Sequence, residues 1–150
     1  MRAGSIVICL ALAGPALAQA PALAPTGAPA LDLPALAAQT AKRFPQPVRV
    51  GDLLGRRLLE PKEAQPVLGR VTGVNRRADG GIDLIVAAGG FLGFGAREVA
   101  LPTEATALMG EYVALLGVPP EVLSKLPEAR ETSPVPREER IRMGITKPFH

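Results

Sequence analysis

Residues able to carry nucleophilic or metal chemistry are scarce in this chain. Its 150 residues include one cysteine, one histidine, no tryptophan, one tyrosine and four phenylalanines. The histidine is His150, at the end of a charged, proline-containing stretch. A general base needs a rigid position beside its nucleophile, and a zinc site needs three or four convergent ligands. Beyond residue 18 there is no cysteine, and Ser124 and Ser133 are the only serines. Thiol catalysis, disulfides, a Ser–His pair and a zinc centre are therefore not expected, and no cofactor is implied. The net charge of +3 is too mild, and too little clustered in sequence, to suggest a nucleic-acid partner.

The first apolar run points to export. Met1-Arg2 precedes an uncharged stretch from Ala3 to Leu17, and Ala16-Leu17-Ala18 has the small-x-small pattern of a secretory cleavage site. Residues 1–18 read as a signal peptide, cleaved after Ala18, with a periplasmic or secreted product. The alternative is an uncleaved anchor, although the run is short of the roughly 20 residues of a spanning helix. Cys9, the single cysteine, lies inside it.

Residues 19–47 are rich in Ala and Pro, with Pro21, Pro25 and Pro29 four apart. Proline removes amide donors and breaks helices, so a mobile spacer is expected, with one or two helical turns over Leu31–Thr40. From Val48 the chain changes to short apolar runs separated by turn residues, the pattern of an all-β barrel or sandwich. Val48–Val50, Val67–Asn75, Ile82–Val86, Arg97–Leu101 and Tyr112–Leu116 read as strands. Gly55 suggests a tight bend, and Asp79-Gly80 a hairpin turn. Thr103–Met109 reads as a short helix, with Thr103 as N-cap and Gly110 past its end. Pro119–Leu126 reads as a second, with Val122, Leu123 and Leu126 sharing a face. Residues 128–150 are charged and read as a disordered tail.

Within residues 48–127, Gly51-Asp52-Leu53-Leu54-Gly55, Leu68-Gly69-Arg70-Val71, the run Gly89 to Gly95 with Val99-Ala100-Leu101-Pro102, and Glu121 to Pro127 together resemble the PRC-barrel family. That family includes the barrel of the photosynthetic reaction centre H subunit and of a ribosome maturation factor. The resemblance implies a small PRC-type β-barrel with a short C-terminal helix. It implies contact with other proteins and no shared catalytic residues.

The run Gly89–Gly95 fails as a phosphate loop, because its glycines are misordered for G-x-G-x-x-G and a strand ending in Pro102 follows. Its apolar residues Phe91, Leu92 and Phe94 either fill the core or stay exposed as a partner-binding patch, with Arg97 as a rim charge. Arg56, Arg57, Arg76 and Arg77 read as surface charge; were their hairpins side by side, they would form a basic edge. The leading expectation is a non-enzymatic adaptor that contacts another envelope protein. A small-molecule or anionic-lipid-surface binding module is the alternative. A hydrolase using two of Asp52, Glu60, Asp83, Glu98 and Glu111 is the third.

Overall fold

A computed structural model describes residues 30–89, 95–129 and 132–148. The expected signal peptide therefore lies outside the described residues. Alternation decides most of the fold. In β4 (Ile82–Ala88), Leu84, Val86 and Ala88 point into the core, and in β5 (Arg97–Pro102) Val99 and Leu101 do the same. A strand of period 2 with one apolar face must bury that face. β4 pairs antiparallel with β3 (Val67–Arg76) on one side and with β5 on the other. The β3–β4 turn forms where expected. The Asp79 carboxylate accepts the Gly81 N–H at 2.8 Å, and the Arg77 N–H donates to the Gly81 carbonyl.

β2 (Arg57–Leu59) continues the sheet beyond β3, and pairs in parallel with β7 (Tyr112–Leu115), which pairs with β6 (Thr106–Met109). The order β5-β4-β3-β2-β7-β6 makes one curled six-stranded sheet, so the protein is all-β with few helices. Leu53, Leu58, Leu84, Leu101, Val113 and Leu115 fill its concave side. Leu53 comes from the four-residue helix α2 (Val50–Leu53), and Gly55 supplies the tight bend between α2 and β2.

Four expectations change. The segment Thr103–Met109 is not a helix. A 3-10 turn occupies Thr103–Ala105, and Thr106–Met109 is β6, with Ala107 and Met109 buried. Gly110 is a hairpin residue between Met109 and Tyr112 rather than a helix cap. A three-residue apolar run, Ala107 to Met109, with threonine before and glycine after satisfies both patterns; pairing with β7 decides it.

The spacer expected over 19–47 carries structure from residue 30 onward. Helix α1 (Leu33–Thr40) is capped by the Asp32 carboxylate, which accepts from the Ala35 N–H at 3.1 Å, and it buries Leu36. β1 (Pro45–Arg49) follows. The tail expected to be disordered carries β8 (Arg140–Gly144), which pairs antiparallel with β1 as a two-stranded ribbon. Ile141 and Met143 are buried while Arg140 and Arg142 are exposed, so period 2 is present there as well. Pro45 and Pro47 are tolerated because β1 is an edge strand, and residues two apart turn their missing donors the same way. Finally, the second helix is shorter than expected: α3 spans Pro120–Leu123, and Leu123 and Leu126 are buried under the sheet's end.

Each edge strand of the large sheet carries one isolated bridge to a segment later in the chain. Glu128 bridges Val99 on β5, and Ile145 bridges Leu108 on β6. Bare strand edges invite pairing with other chains, and here residues after α3 take up one pairing position on each edge strand.

Candidate functional site

Beside the segment Gly89–Gly95 lies a groove of about 440 Å³. Three pieces of chain build it. The start of β3 supplies Val67 and Leu68, the end of β4 and the start of β5 supply Ala88 and Val99, and α3 supplies Pro120 and Leu123. Val67 is 56% exposed although it is a large apolar side chain, because the groove is open above it. Gly89 and Gly95 frame one side with φ of +74° and +77°. That left-handed backbone favours glycine, which is how the chain leaves β4 and returns to β5 at this rim.

Arg97 holds the groove's far wall. Its guanidinium donates to the Ser124 carbonyl at 2.9 Å and to the Leu126 carbonyl at 3.2 Å. These carbonyls follow α3, where backbone acceptors lack helical partners. A cationic fork at that point satisfies two of them and fixes α3 against β5. Arg97 thus lies at the expected rim, but its guanidinium is engaged within the chain. Phe91, Leu92 and Phe94 lie outside the described residues. Val67 reads in the sequence as an ordinary strand residue, and Leu123 only as part of a helix face with Val122 and Leu126.

The two arginine pairs do not come together. Arg57 on β2 stands opposite Arg70 on β3. Arg76 closes β3 six residues later, about 20 Å along the strand at 3.3 Å per residue. The expected basic edge of Arg56, Arg57, Arg76 and Arg77 is therefore two separate sites. Arg56 donates to the carbonyls of Asp52 (2.6 Å) and Gly110 (2.8 Å). Arg76 pairs with Glu139, linking the large sheet to the segment before β8.

Arg77 gathers three carboxylates: Asp83 at 2.6 Å, Glu104 at 2.9 Å and Asp79 at 3.2 Å. Burial opposes its charge, but the hydrogen bonds it donates to Glu104 and Asp83 outweigh that and push its pKa further above the ordinary arginine range. Burial raises the Asp83 pKa; Arg77 opposes this, and Glu104 and Asp79 add to it. Asp79 moves the other way, lowered first by the Gly81 N–H and then by Arg77. One cation shared by three anions favours the cation more than any one anion. The cluster ties the β3–β4 turn to the 3-10 turn, whose Glu104 carbonyl accepts the Thr40 hydroxyl of α1 at 2.6 Å. It joins elements, and only Glu104 of the cluster borders a cleft, the shallow one between α1, the 3-10 turn and β8.

Among the described residues, no three His, Cys, Asp or Glu side chains are grouped to hold a metal ion, and no helix is long and apolar enough to cross a membrane. No protein-family model, curated protein or solved structure matches the chain.

Proposed function

We propose that this chain is a non-enzymatic, exported adaptor built on a PRC-type barrel, and that it binds an apolar segment of another envelope protein in the groove beside Gly89–Gly95. The observation that carries the reading is the groove: apolar side chains from β3, β4, β5 and α3 converge there, with Val67 left more than half exposed. Exposed apolar surface of this kind is characteristic of interaction sites. The resemblance of residues 48–127 to the PRC-barrel family supports the same reading, and the curled six-stranded sheet is compatible with it. The apolar run at residues 3–17 supports export.

Val67 offers a clean handle because it is exposed. Val67→Asp is expected to keep the fold and to lose the protein that co-purifies with wild type from an envelope fraction, while Val67→Ile retains it. Identical co-purification with wild type and a folded Val67→Asp would remove the groove from consideration.

A further inference from the structure

The β1–β8 ribbon concentrates charge in a way that the sequence order conceals. Of the chain's 17 Lys and Arg, six fall in residues 42–49 and 140–148: Lys42, Arg43, Arg49, Arg140, Arg142 and Lys147. Those two segments contain no Asp or Glu, and the other eleven cations share the rest of the chain with all 14 acids. The antiparallel register brings the two segments together. Partners directly opposite share a face, so Arg49 and Arg140 stand together on the outer face, and Arg142 stands beside Pro47. Among the described residues none of the six is in an ion pair.

The tip of the ribbon is apolar. Phe44 is 80% exposed and Ile145 40%, and the Ile145 N–H donates to the Phe44 carbonyl, so the two are neighbours. Lys42 and Arg43 precede Phe44, and Lys147 follows Ile145 by two residues. Next to the tip, Arg43 and Arg142 line a shallow cleft of about 290 Å³ with Thr40 and Thr103. The one carboxylate there, Glu104, is already bonded to Arg77.

We infer that this ribbon end is a docking surface for an anionic phospholipid bilayer, with Phe44 and Ile145 entering the interfacial layer and the surrounding Arg and Lys side chains contacting lipid phosphates. Charge complementarity selects an anionic partner, and guanidinium forks match phosphate oxygens. The exposed apolar pair, flanked along the chain by Lys42, Arg43 and Lys147, selects a bilayer over a soluble polyanion. Interfacial binding adds buried apolar area to electrostatic attraction, and a polyanion offers nothing for a phenylalanine to enter. The surface is separate from the groove, so either assignment can fail without the other.

The test is co-sedimentation of the full chain with vesicles of phosphatidylglycerol and phosphatidylcholine, and with vesicles of phosphatidylcholine alone, at low and high salt. Residues 3–17 are themselves apolar, so the readout is the ratio of binding to the two vesicle types. The expected ratio is well above one and falls with salt. Arg142→Gln with Lys147→Gln should lower partitioning into the anionic vesicles about 25-fold, near fivefold for each cation. Phe44→Ser should lower it several-fold at unchanged charge. If Arg142→Gln perturbs the ribbon, Lys42→Gln with Lys147→Gln, both outside the strands, carries the same expectation. Equal binding to both vesicle types, or no loss in the glutamine variants, would overturn the proposal. A Phe44→Ser variant that binds anionic vesicles as wild type does, with soluble polyglutamate displacing both proteins, would reassign the surface to acidic polymers and overturn the lipid assignment.

Discussion

Arg97 spans the gap between β5 and α3 with two hydrogen bonds to backbone carbonyls. Removing it leaves those acceptors to water and loosens the groove's far wall. Arg97→Ala is expected to cost about 1.5 kcal/mol, the low end of the range for hydrogen bonds that involve a charged group, because one of its two bonds is exposed. Faster amide hydrogen exchange should be confined to residues 120–126; a uniform change, or none, would show that α3 is held by other contacts. Gly117 is constrained twice. Its φ is +72°, and a Cβ there would lie 2.8 Å from the Leu36 side chain of α1. Gly117→Ala should therefore destabilise by about 1–3 kcal/mol in chemical denaturation, from backbone strain and displacement of the buried Leu36 side chain. At Asp83 the sign follows from burial. Its folded pKa is raised, so the folded chain keeps a proton that the unfolded chain has lost. Its contribution to stability is present below the ordinary aspartate value of about 3.9 and is lost as pH rises through the raised one. The stability of wild type minus that of Asp83→Asn should accordingly fall across that window. A difference that stays flat or rises with pH would mean that Arg77 outweighs burial there.

At the level of elements, the central hairpin was legible and the ribbon was not. Ile82, Leu84 and Val86 alternate without interruption, and Asp79-Gly80 supplies the turn, so β3, β4 and β5 could be located from local pattern. β1 and β8 gave weaker signals. Pro45 and Pro47 argued against a strand, and the alternation of Arg140-Ile141-Arg142-Met143 spans only a few residues within a charged stretch. Neither segment can bury its apolar face until the other arrives from the far end of the chain, and a long-range requirement of that kind leaves no local mark. Thr103–Met109 failed differently: its residues suit a capped helix, and pairing with β7 overrode that preference. Of the candidate site, Arg97 and the run Gly89–Gly95 are legible in the sequence. The exposure of Val67 is not, since it depends on how α3 sits across the strand ends. The ribbon's role can be checked by ending the chain after Glu139. Ile141 and Met143 are 5% and 1% exposed, and losing a buried side chain of this type costs on the order of 1.5–3 kcal/mol. The truncated protein should melt well below wild type; an unchanged melting temperature would mean that the ribbon is an appendage without structural weight.

For the whole molecule, the features with interaction chemistry occupy different places. The groove is apolar and formed by strand ends and α3, whereas the ribbon is cationic and formed by the two terminal segments. An adaptor needs such separation, because one surface can then hold a partner while another rests on a support. The acidic excess outside the ribbon is partly absorbed by pairing, as around Arg77, which leaves the ribbon as the main concentration of unpaired charge among the described residues. Site-specific photo-crosslinking in the living cell separates the groove from the rest of the surface. A photoreactive residue at Val67 should give a discrete adduct with another envelope protein, and the same residue at Glu63, which is exposed and does not line the groove, should not. Equal adducts at the two positions, or none at Val67 in a folded protein, would contradict the account.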